Sequence, residues 1–143
     1  MKIKLKIVTP ERTVLEGDID QVTLPTENGE ITILPNHVSY IASLKPGEII
    51  TKASEQETHL ATSGGFIEFN ENNLIILSDT AERAEEIDLA RAEEAKKLAK
   101  KIQEEKIVSN DTDYARVAIA IEKENARIKI AKKHHTKHNI KIN

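Results

Sequence analysis

Glycine and proline are confined to the first 65 of the 143 residues. Both residue types mark turns and are unfavourable inside helices. Their distribution therefore predicts a turn-rich N-terminal unit followed by a helical C-terminal unit. The character of the chain changes within Ala81–Ala92, where the turn residues have ended and alanine and glutamate become frequent.

The N-terminal unit alternates apolar and polar residues. Ile3, Leu5 and Ile7 alternate with lysines, which is typical of a strand with one buried face. Further β-type segments follow, separated by turns rich in Gly, Pro and Asn, at 13–15, 19–24, 30–34, 39–44, 48–52, 58–62, 66–69 and 74–77. Many short strands with no helical segment between them indicate a sandwich or a small barrel. We expect an antiparallel β-sandwich over residues 1–80.

Residues 88–131 show the three- and four-residue apolar spacing of amphipathic helices. The apolar positions are Ala92, Ala95, Leu98, Ala99 and Ile102 in the first helix, and Tyr114, Val117, Ala118, Ile121 and Ile128 in the second. A polar loop is predicted over residues 107–112, with Asp111 as the N-cap of the second helix. Two helices joined in this way form an antiparallel hairpin, so the predicted fold class is α+β. The apolar stripes are thin, and the hairpin needs another surface to pack against.

Residues 81–87 are the predicted joint between the two units. Asp79 and Glu82 have the spacing of a capping-box variant, and Asp88 and Arg91 that of an i,i+3 pair, so helix capping explains these residues on its own. A functional interpretation stays open beside it. If the hairpin folds back, Lys123 and Arg127, which share a helix face, could meet a phosphate chain near Arg91. Asp88 would then face away from the phosphates and accept from a base or ribose.

Composition argues against several classes of protein. There is no cysteine, hence no disulfide, thiolate zinc site or cysteine nucleophile. No glycine-rich phosphate loop, Gly-x-Ser-x-Gly or His-Glu-x-x-His motif is present, so we expect no enzyme. Residues 1–79 carry six basic and twelve acidic residues, which argues against nucleic acid as a partner. No apolar run approaches the length needed to span a bilayer.

Residues 132–143 carry four lysines and three histidines, and we expect a basic, disordered tail. The spacing of His134, His135 and His138 could suit a divalent metal, and a metal enzyme built on them is one rival hypothesis. A solvated basic segment is favoured, and no metal site is predicted. His37 follows Pro35-Asn36 in a turn, where a lone histidine is more typical of a surface or an interface than of a ligand or base.

The chain resembles the epsilon subunit of the bacterial F-type ATP synthase along its whole length except the tail. The tracts that carry the resemblance are Val8–Arg12, Gly29-Glu30, Ile33–His37, Leu44–Gly47, Ser63–Glu68, Asp79–Arg83 and the Ile-Asp-x-x-Arg-Ala motif of Ile87–Ala92. Each tract is short. Their order and spacing, on a sandwich followed by a helical hairpin, make the resemblance specific.

The resemblance implies a non-catalytic central-stalk subunit of a proton- or sodium-driven synthase, peripheral on the cytoplasmic face of the bacterial membrane. The sandwich would bind the gamma subunit and the ring of c subunits, with Glu30 and His37 facing those partners. The hairpin would be permissive when folded down on the sandwich. Extended into the catalytic head subunits, it would block rotation, chiefly during ATP hydrolysis.

In several bacterial members of that family, ATP holds the hairpin down, although no cofactor is required. The positions that match this ATP site are Glu82, Ile87, Asp88, Arg91, Ala92, Lys123 and Arg127. Lys123 stands where arginine is usual and offers a point charge rather than a bidentate fork, so we expect weak ATP binding. The alternative function is a free-standing nucleotide-binding or helical adaptor module outside any rotor, which would not bind the gamma subunit.

Overall fold

The structure is a computed structural model that describes residues 1–104 and 111–141. The strands are β1 (Ile3–Val8), β2 (Thr13–Ile19), β3 (Gln21–Thr26), β4 (Gly29–Ile33), β5 (Tyr40–Leu44), β6 (Gly47–Ala53), β7 (Gln56–Thr62), β8 (Gly65–Asn70), β9 (Asn73–Ser78) and β10 (Ala81–Arg83). A short 3₁₀ helix (Ala84–Glu86) precedes α1 (Leu89–Glu104) and α2 (Asp111–Lys141). The predicted α+β class, a sandwich followed by a helical hairpin, is confirmed.

The strands follow one hydrogen-bonded path, β10-β7-β6-β3-β5-β8-β9-β1-β2, with β4 paired to β3. The pairing between β3 and β5 is the shortest along this path, with Thr26 and Leu44 as its only paired positions. Residues from both halves of the path share one buried core cluster, so the two halves pack against each other as layers. The pairs are antiparallel except β1 and β9, which run parallel within the otherwise antiparallel sandwich.

The core between the layers is aliphatic apart from one aromatic ring. The alternation in β1 buries Ile3, Leu5 and Ile7 completely or nearly so, as the sequence predicted. Phe69 on β8 is 1% exposed and packs in the same cluster. Since side chains of a strand alternate between its faces, the residues beside these inward positions point to solvent.

Gly65 lies where β8 passes closest to β9. Its φ is +148°, and a Cβ there would stand 2.0 Å from the carbonyl oxygen of Leu77. The neighbouring hydroxyls of Thr62 and Ser78 are 2.6 Å apart, and Ser78 Oγ donates to the carbonyl of Gly64 at 2.9 Å. Close backbone packing therefore requires glycine at position 65, and the carbonyl of Gly64 takes part in the hydrogen bonding beside it.

The hairpin is docked on the sandwich. Besides α1, helix α2 contacts β6, β7 and the 3₁₀ helix. A small buried cluster fills this contact, formed by Ala61, Ala84, Ile87, Ile130 and Ala131, with Leu89 packed against it. This cluster is separate from the core of the sandwich. None of the helices in the described residues is long and apolar enough to cross a membrane.

Several helical predictions differ from the structure. Leu98 and Tyr114, predicted for the apolar stripes, are 61% and 55% exposed, whereas Ile130 and Ala131 are buried. Periodicity identifies a face of a helix but not the neighbour that covers it. The side chain of the predicted N-cap Asp111 and the predicted loop up to residue 110 lie outside the described residues.

The prediction of a disordered tail from residue 132 differs from the structure, which continues α2 to Lys141. No glycine or proline interrupts this segment, so the backbone can continue its helical hydrogen bonds. Lys132 and Lys133 also contact other elements, through ion pairs with Glu93 at 3.8 Å and Glu48 at 3.4 Å. The boundary predicted at 131/132 therefore falls inside a helix.

Candidate functional site

Glu82 lies in a strand, which corrects the prediction that it closes a capping box with Asp79. Its strand, β10, pairs antiparallel with β7, and Glu82 stands opposite Ala61. The backbone leading to it is held by Ser63 and Gly64: Ser63 N donates to Thr80 O at 3.1 Å, and Asp79 N donates to Gly64 O at 3.3 Å. These long-range bonds extend the sheet where the local sequence pattern favoured a helix start.

Arg127 on α2 reaches across the hairpin contact to Glu82. Its Nε lies 3.1 Å from Glu82 Oε1, and its Nη2 donates to Glu82 Oε2 at 3.1 Å. Its Nη1 donates to Oε2 of Glu124, one helical turn earlier, at 2.8 Å. The side chains are 16% exposed for Arg127, 28% for Glu82 and 9% for Glu124. We call these three residues the Arg127 cluster; with two carboxylates and one guanidinium, its formal charge is negative.

Asp88 and Arg91 begin α1. The Arg91 amide donates to Asp88 Oδ1 at 3.2 Å, and the Ala92 amide donates to the Asp88 carbonyl at 3.0 Å. Asp88 is thus the N-cap of α1, as the capping interpretation predicted. Arg91 Nε lies 3.8 Å from Asp88 Oδ2, and the Arg91 side chain is 84% exposed. This guanidinium is open to an anionic ligand.

Ile87 and Ala92 have packing roles in this structure. Ile87 is 5% exposed and belongs to the cluster under α2, and Ala92 is fully buried. Lys123 is half-buried on α2, one turn before Arg127. Of the predicted ATP-site residues, the structure joins Glu82 and Arg127 directly, joins Asp88 with Arg91 separately, and buries the two apolar positions.

Glu124 was missed by sequence reasoning. Its position three residues before Arg127 was the available signal, because i,i+3 pairs lie side by side on a helix. Among the residues the structure describes, it is the one charged residue that is buried. A second contact between α2 and the sandwich was also missed. Lys133 Nζ on α2 donates to Glu48 Oε1 on β6 at 3.4 Å, and His59 Nδ1 on β7 donates to the same oxygen at 2.6 Å.

The joint is also fastened to the β1–β2 turn. Arg12 Nη2 donates to Glu86 Oε2 at 2.9 Å, and the Arg83 amide donates to the same carboxylate at 3.3 Å. The bond from Arg12, opposed by partial desolvation, lowers the pKa of the Glu86 carboxyl below its ordinary value. Arg83 Nη2 donates to the Val14 carbonyl at 3.1 Å, so the joint is held to β2 as well.

The loop that carries His37 is held by hydrogen bonds at one end of the sandwich. The Asn36 amide donates to Asn72 Oδ1 at 2.6 Å, and Asn72 Nδ2 returns a bond to Asn36 Oδ1 at 3.1 Å. His37 Nδ1 donates to the Val38 carbonyl at 2.8 Å, and its ring packs edge-on against Phe69 at 5.9 Å. Glu30 is exposed on β4.

Exposed apolar side chains collect on the outer surface of β5, β8 and β9. Phe66 and Leu77 are directly paired across β8 and β9 and are 62% and 54% exposed. On the neighbouring rung, Ile41 and Ile75 flank Glu68 and are 75% and 43% exposed. We call these four apolar residues the outer apolar face. It continues into a groove of about 880 Å³, whose lining includes Phe66, Leu77 and Ile119 of α2.

No metal centre is found in the described residues, where no group of three or more His, Asp or Glu is arranged to hold an ion. The side chains of His135 and His138 lie outside the described residues, so the tail-histidine hypothesis keeps only His134 within them.

Two solved structures share the fold of this chain. The chain aligns with a chain of the Euglena gracilis mitochondrial ATP synthase OSCP/F1/c-ring assembly at a TM-score of 0.74 and 22% identity, covering 87% of this chain and 78% of that one. It also aligns with a chain of the Tetrahymena thermophila mitochondrial ATP synthase central stalk/c-ring at a TM-score of 0.57 and 17% identity, covering 94% and 96%. At these identities the likeness concerns the fold alone.

Sequence similarity supports the family of the chain as well as its fold. Residues 2–84 match the family described as ATP synthase, Delta/Epsilon chain, beta-sandwich domain. The ATP synthase epsilon chain of Dehalococcoides mccartyi is 41% identical over 132 residues, 92% of this chain and 94% of that protein. Those of Ligilactobacillus salivarius and Chloroflexus aggregans are each 39% identical, over 91% and 96% of this chain. With a matching sandwich and near full-length similarity to these relatives, the chain belongs to the ATP synthase epsilon chain family.

Proposed function

We propose that the chain works as a central-stalk rotor subunit of an F-type ATP synthase, coupling the catalytic head to the membrane ring and regulating ATP hydrolysis through its hairpin. It is a non-catalytic member of its family. The observation that carries the regulatory part is the hairpin contact: α2 rests on the sandwich through a few small apolar residues and ion pairs. A contact of this size can open for a few kcal/mol, as a two-state element requires.

The outer apolar face is the proposed binding surface for the gamma subunit. A patch that joins Phe66, Leu77, Ile41 and Ile75 on a rigid sheet is typical of a protein interface. The groove beside it adds a concave surface bordered by α2. A helix of a partner could bury its apolar side there while α2 stays docked.

The test is co-purification with the gamma subunit. Ile41→Ala together with Phe66→Ala should weaken binding by about tenfold or more, because large apolar side chains near the centre of an interface contribute most of its affinity. Leu98→Ala is the control, since Leu98 is equally exposed but lies on α1. Equal binding by both variants would exclude the outer apolar face, and no binding by the parent chain would favour the adaptor alternative.

The end of the sandwich with Glu30 and His37 is the proposed contact with the c-subunit ring. Leu34 and Val38 flank His37 in the sequence and are 52% and 74% exposed, which supplies apolar area beside the polar groups. The asparagine pair fixes this loop before any partner binds, which reduces the entropy lost on binding. In a bacterium, a chain that binds the ring in this way would lie on the cytoplasmic face of the membrane.

ATP is the proposed regulatory ligand of the joint and hairpin, with low affinity. Arg91 is exposed and available to phosphates, and Asp88 already stands beside it. Arg127, in contrast, is occupied by Glu82 and Glu124. A triphosphate would have to displace carboxylates that hold this guanidinium, and that displacement lowers the net affinity.

Calorimetry of the full chain with Mg-ATP tests this role. We expect weak binding that Arg91→Ala reduces by about tenfold or more, since hydrogen bonds to charged groups contribute about 1.5–3 kcal/mol. Arg116→Ala, an exposed arginine on α2, is the control and should bind as the parent chain does. If Arg91→Ala leaves the titration unchanged, the nucleotide role is refuted, whereas the rotor role is judged by co-purification.

A further inference from the structure

The Arg127 cluster joins the two units of the chain without a ligand. Glu82 belongs to the sandwich, because β10 is paired with β7, whereas Arg127 and Glu124 belong to the hairpin. The guanidinium donates one hydrogen bond to Glu82, from Nη2 to Oε2 at 3.1 Å, whereas its Nε lies 3.1 Å from Oε1 without hydrogen-bond geometry. A paired, mostly buried arrangement of this kind is stronger and more directional than a surface ion pair.

The apolar part of the contact is small. Three of the five residues in the cluster under α2 are alanines, which contribute little buried area. The ion pairs between α2 and the sandwich therefore have a larger share in holding the hairpin than in an ordinary helix–sheet contact. Lys133 with Glu48 is the other described pair of this kind, but it is longer, at 3.4 Å, and its lysine is 44% exposed.

We propose that the Glu82–Arg127 pair is a built-in latch that keeps the hairpin docked without nucleotide, and that Glu124 orients the arginine for it. Glu82 provides the negative charge that a bound phosphate would otherwise bring to Arg127. An anion arriving at Arg127 competes with the latch and, unless it makes new contacts with the sandwich, weakens docking. The proposal of a latch is drawn from the geometry of the Arg127 cluster alone. The competition between the latch and a nucleotide depends on the ATP role proposed above.

Within the cluster, the two carboxylates allow a matched comparison. Glu82→Gln and Glu124→Gln each remove one of the two negative charges beside Arg127 and keep the size of the substituted side chain. Only Glu82 bridges to the sandwich, whereas Glu124 is on the same helix as Arg127. A latch predicts a large effect for the first substitution and a small one for the second; a general charge effect predicts similar effects for both.

The experiment measures docking in the complete chain without nucleotide. Because the chain has no cysteine, Gln56→Cys on β7 and Arg116→Cys on α2 give two specific spin-label positions. We expect Glu82→Gln to lower the ratio of docked to undocked molecules by about tenfold or more, and Glu124→Gln by less than about threefold. The swap Glu82→Arg with Arg127→Glu, made together with Glu124→Gln so that the new glutamate does not face a like charge, should restore docking, because it restores a pair of opposite charges across the contact.

Distance distributions that are the same for Glu82→Gln and the parent chain would overturn the latch, as would equal losses in the two glutamine variants. Circular dichroism checks that each variant is folded. If one of the single variants does not fold, the swap still tests whether the pair of opposite charges holds the hairpin docked. Repeating the measurement with ATP examines the competition alone. A latch that fails leaves co-purification with the gamma subunit unaffected, so it is distinguishable from failure of the rotor role.

Discussion

Deletion of residues 88–143 is expected to raise ATP hydrolysis by the assembled synthase by about twofold or more, the increase that follows when the extended, blocking state of the hairpin holds about half or more of the molecules. The truncated chain ends at Ile87 and retains all ten strands and the 3₁₀ helix. The core of the sandwich contains no residue of the hairpin, so the sandwich should stay folded and remain in the complex.

The measurement is the steady-state ATPase rate of purified complexes that contain either the full chain or the truncated one. Subunit composition is checked on the same samples. The synthesis rate should change less than the hydrolysis rate, because the proposed block acts chiefly in the hydrolysis direction. Unchanged hydrolysis in an intact complex would refute the regulatory role of the hairpin and leave the coupling role in place.

Replacement of Phe69 by alanine should destabilise the sandwich by about 3–5 kcal/mol, the usual cost of removing a buried phenylalanine. Phe69 is the largest side chain in the core and is 1% exposed. Its ring also supports His37 at 5.9 Å, so the substitution should loosen the proposed c-ring contact as well. Urea unfolding followed by circular dichroism measures the change in the free energy of unfolding.

The other phenylalanine provides the control. Phe66 lies on the same strand three residues earlier, but its side chain is 62% exposed on the outer apolar face. Phe66→Ala should change stability by less than about 0.5 kcal/mol, as surface substitutions usually do. Similar losses for both variants would mean that the outer face is buried in solution, contrary to its proposed availability to a partner.

Local pattern was sufficient to predict most of the sandwich. The alternation of Ile3, Leu5 and Ile7 and the spacing of turns predicted the strands closely, because each strand has one buried face and short connections. The helices were also predictable from spacing, and so was Asp88 as a cap. These features depend on residues within about one turn of each other.

The features that the sequence did not predict depend on contacts between segments that are distant in the chain. Glu82 was assigned to a helix start because its spacing from Asp79 fits a cap, yet β10 exists only through pairing with β7. Likewise, the partner of Arg127 is 45 residues away, and no periodicity indicates it. Leu98 and Tyr114 fit an apolar stripe but have no covering surface in the described residues. Which side chains meet across the hairpin contact could be learned only from the docked arrangement.

The parallel pairing of β1 with β9 has a consequence for biosynthesis. Strand β1 lies between β2 and β9, and its second edge is filled by residues 73–78, which are translated about 65 residues after it. A nascent chain therefore cannot complete the sandwich until most of that unit has been translated, because this contact spans nearly all of it. The hairpin is translated after all the strands of the sandwich, so the surface on which it docks can form before the hairpin does.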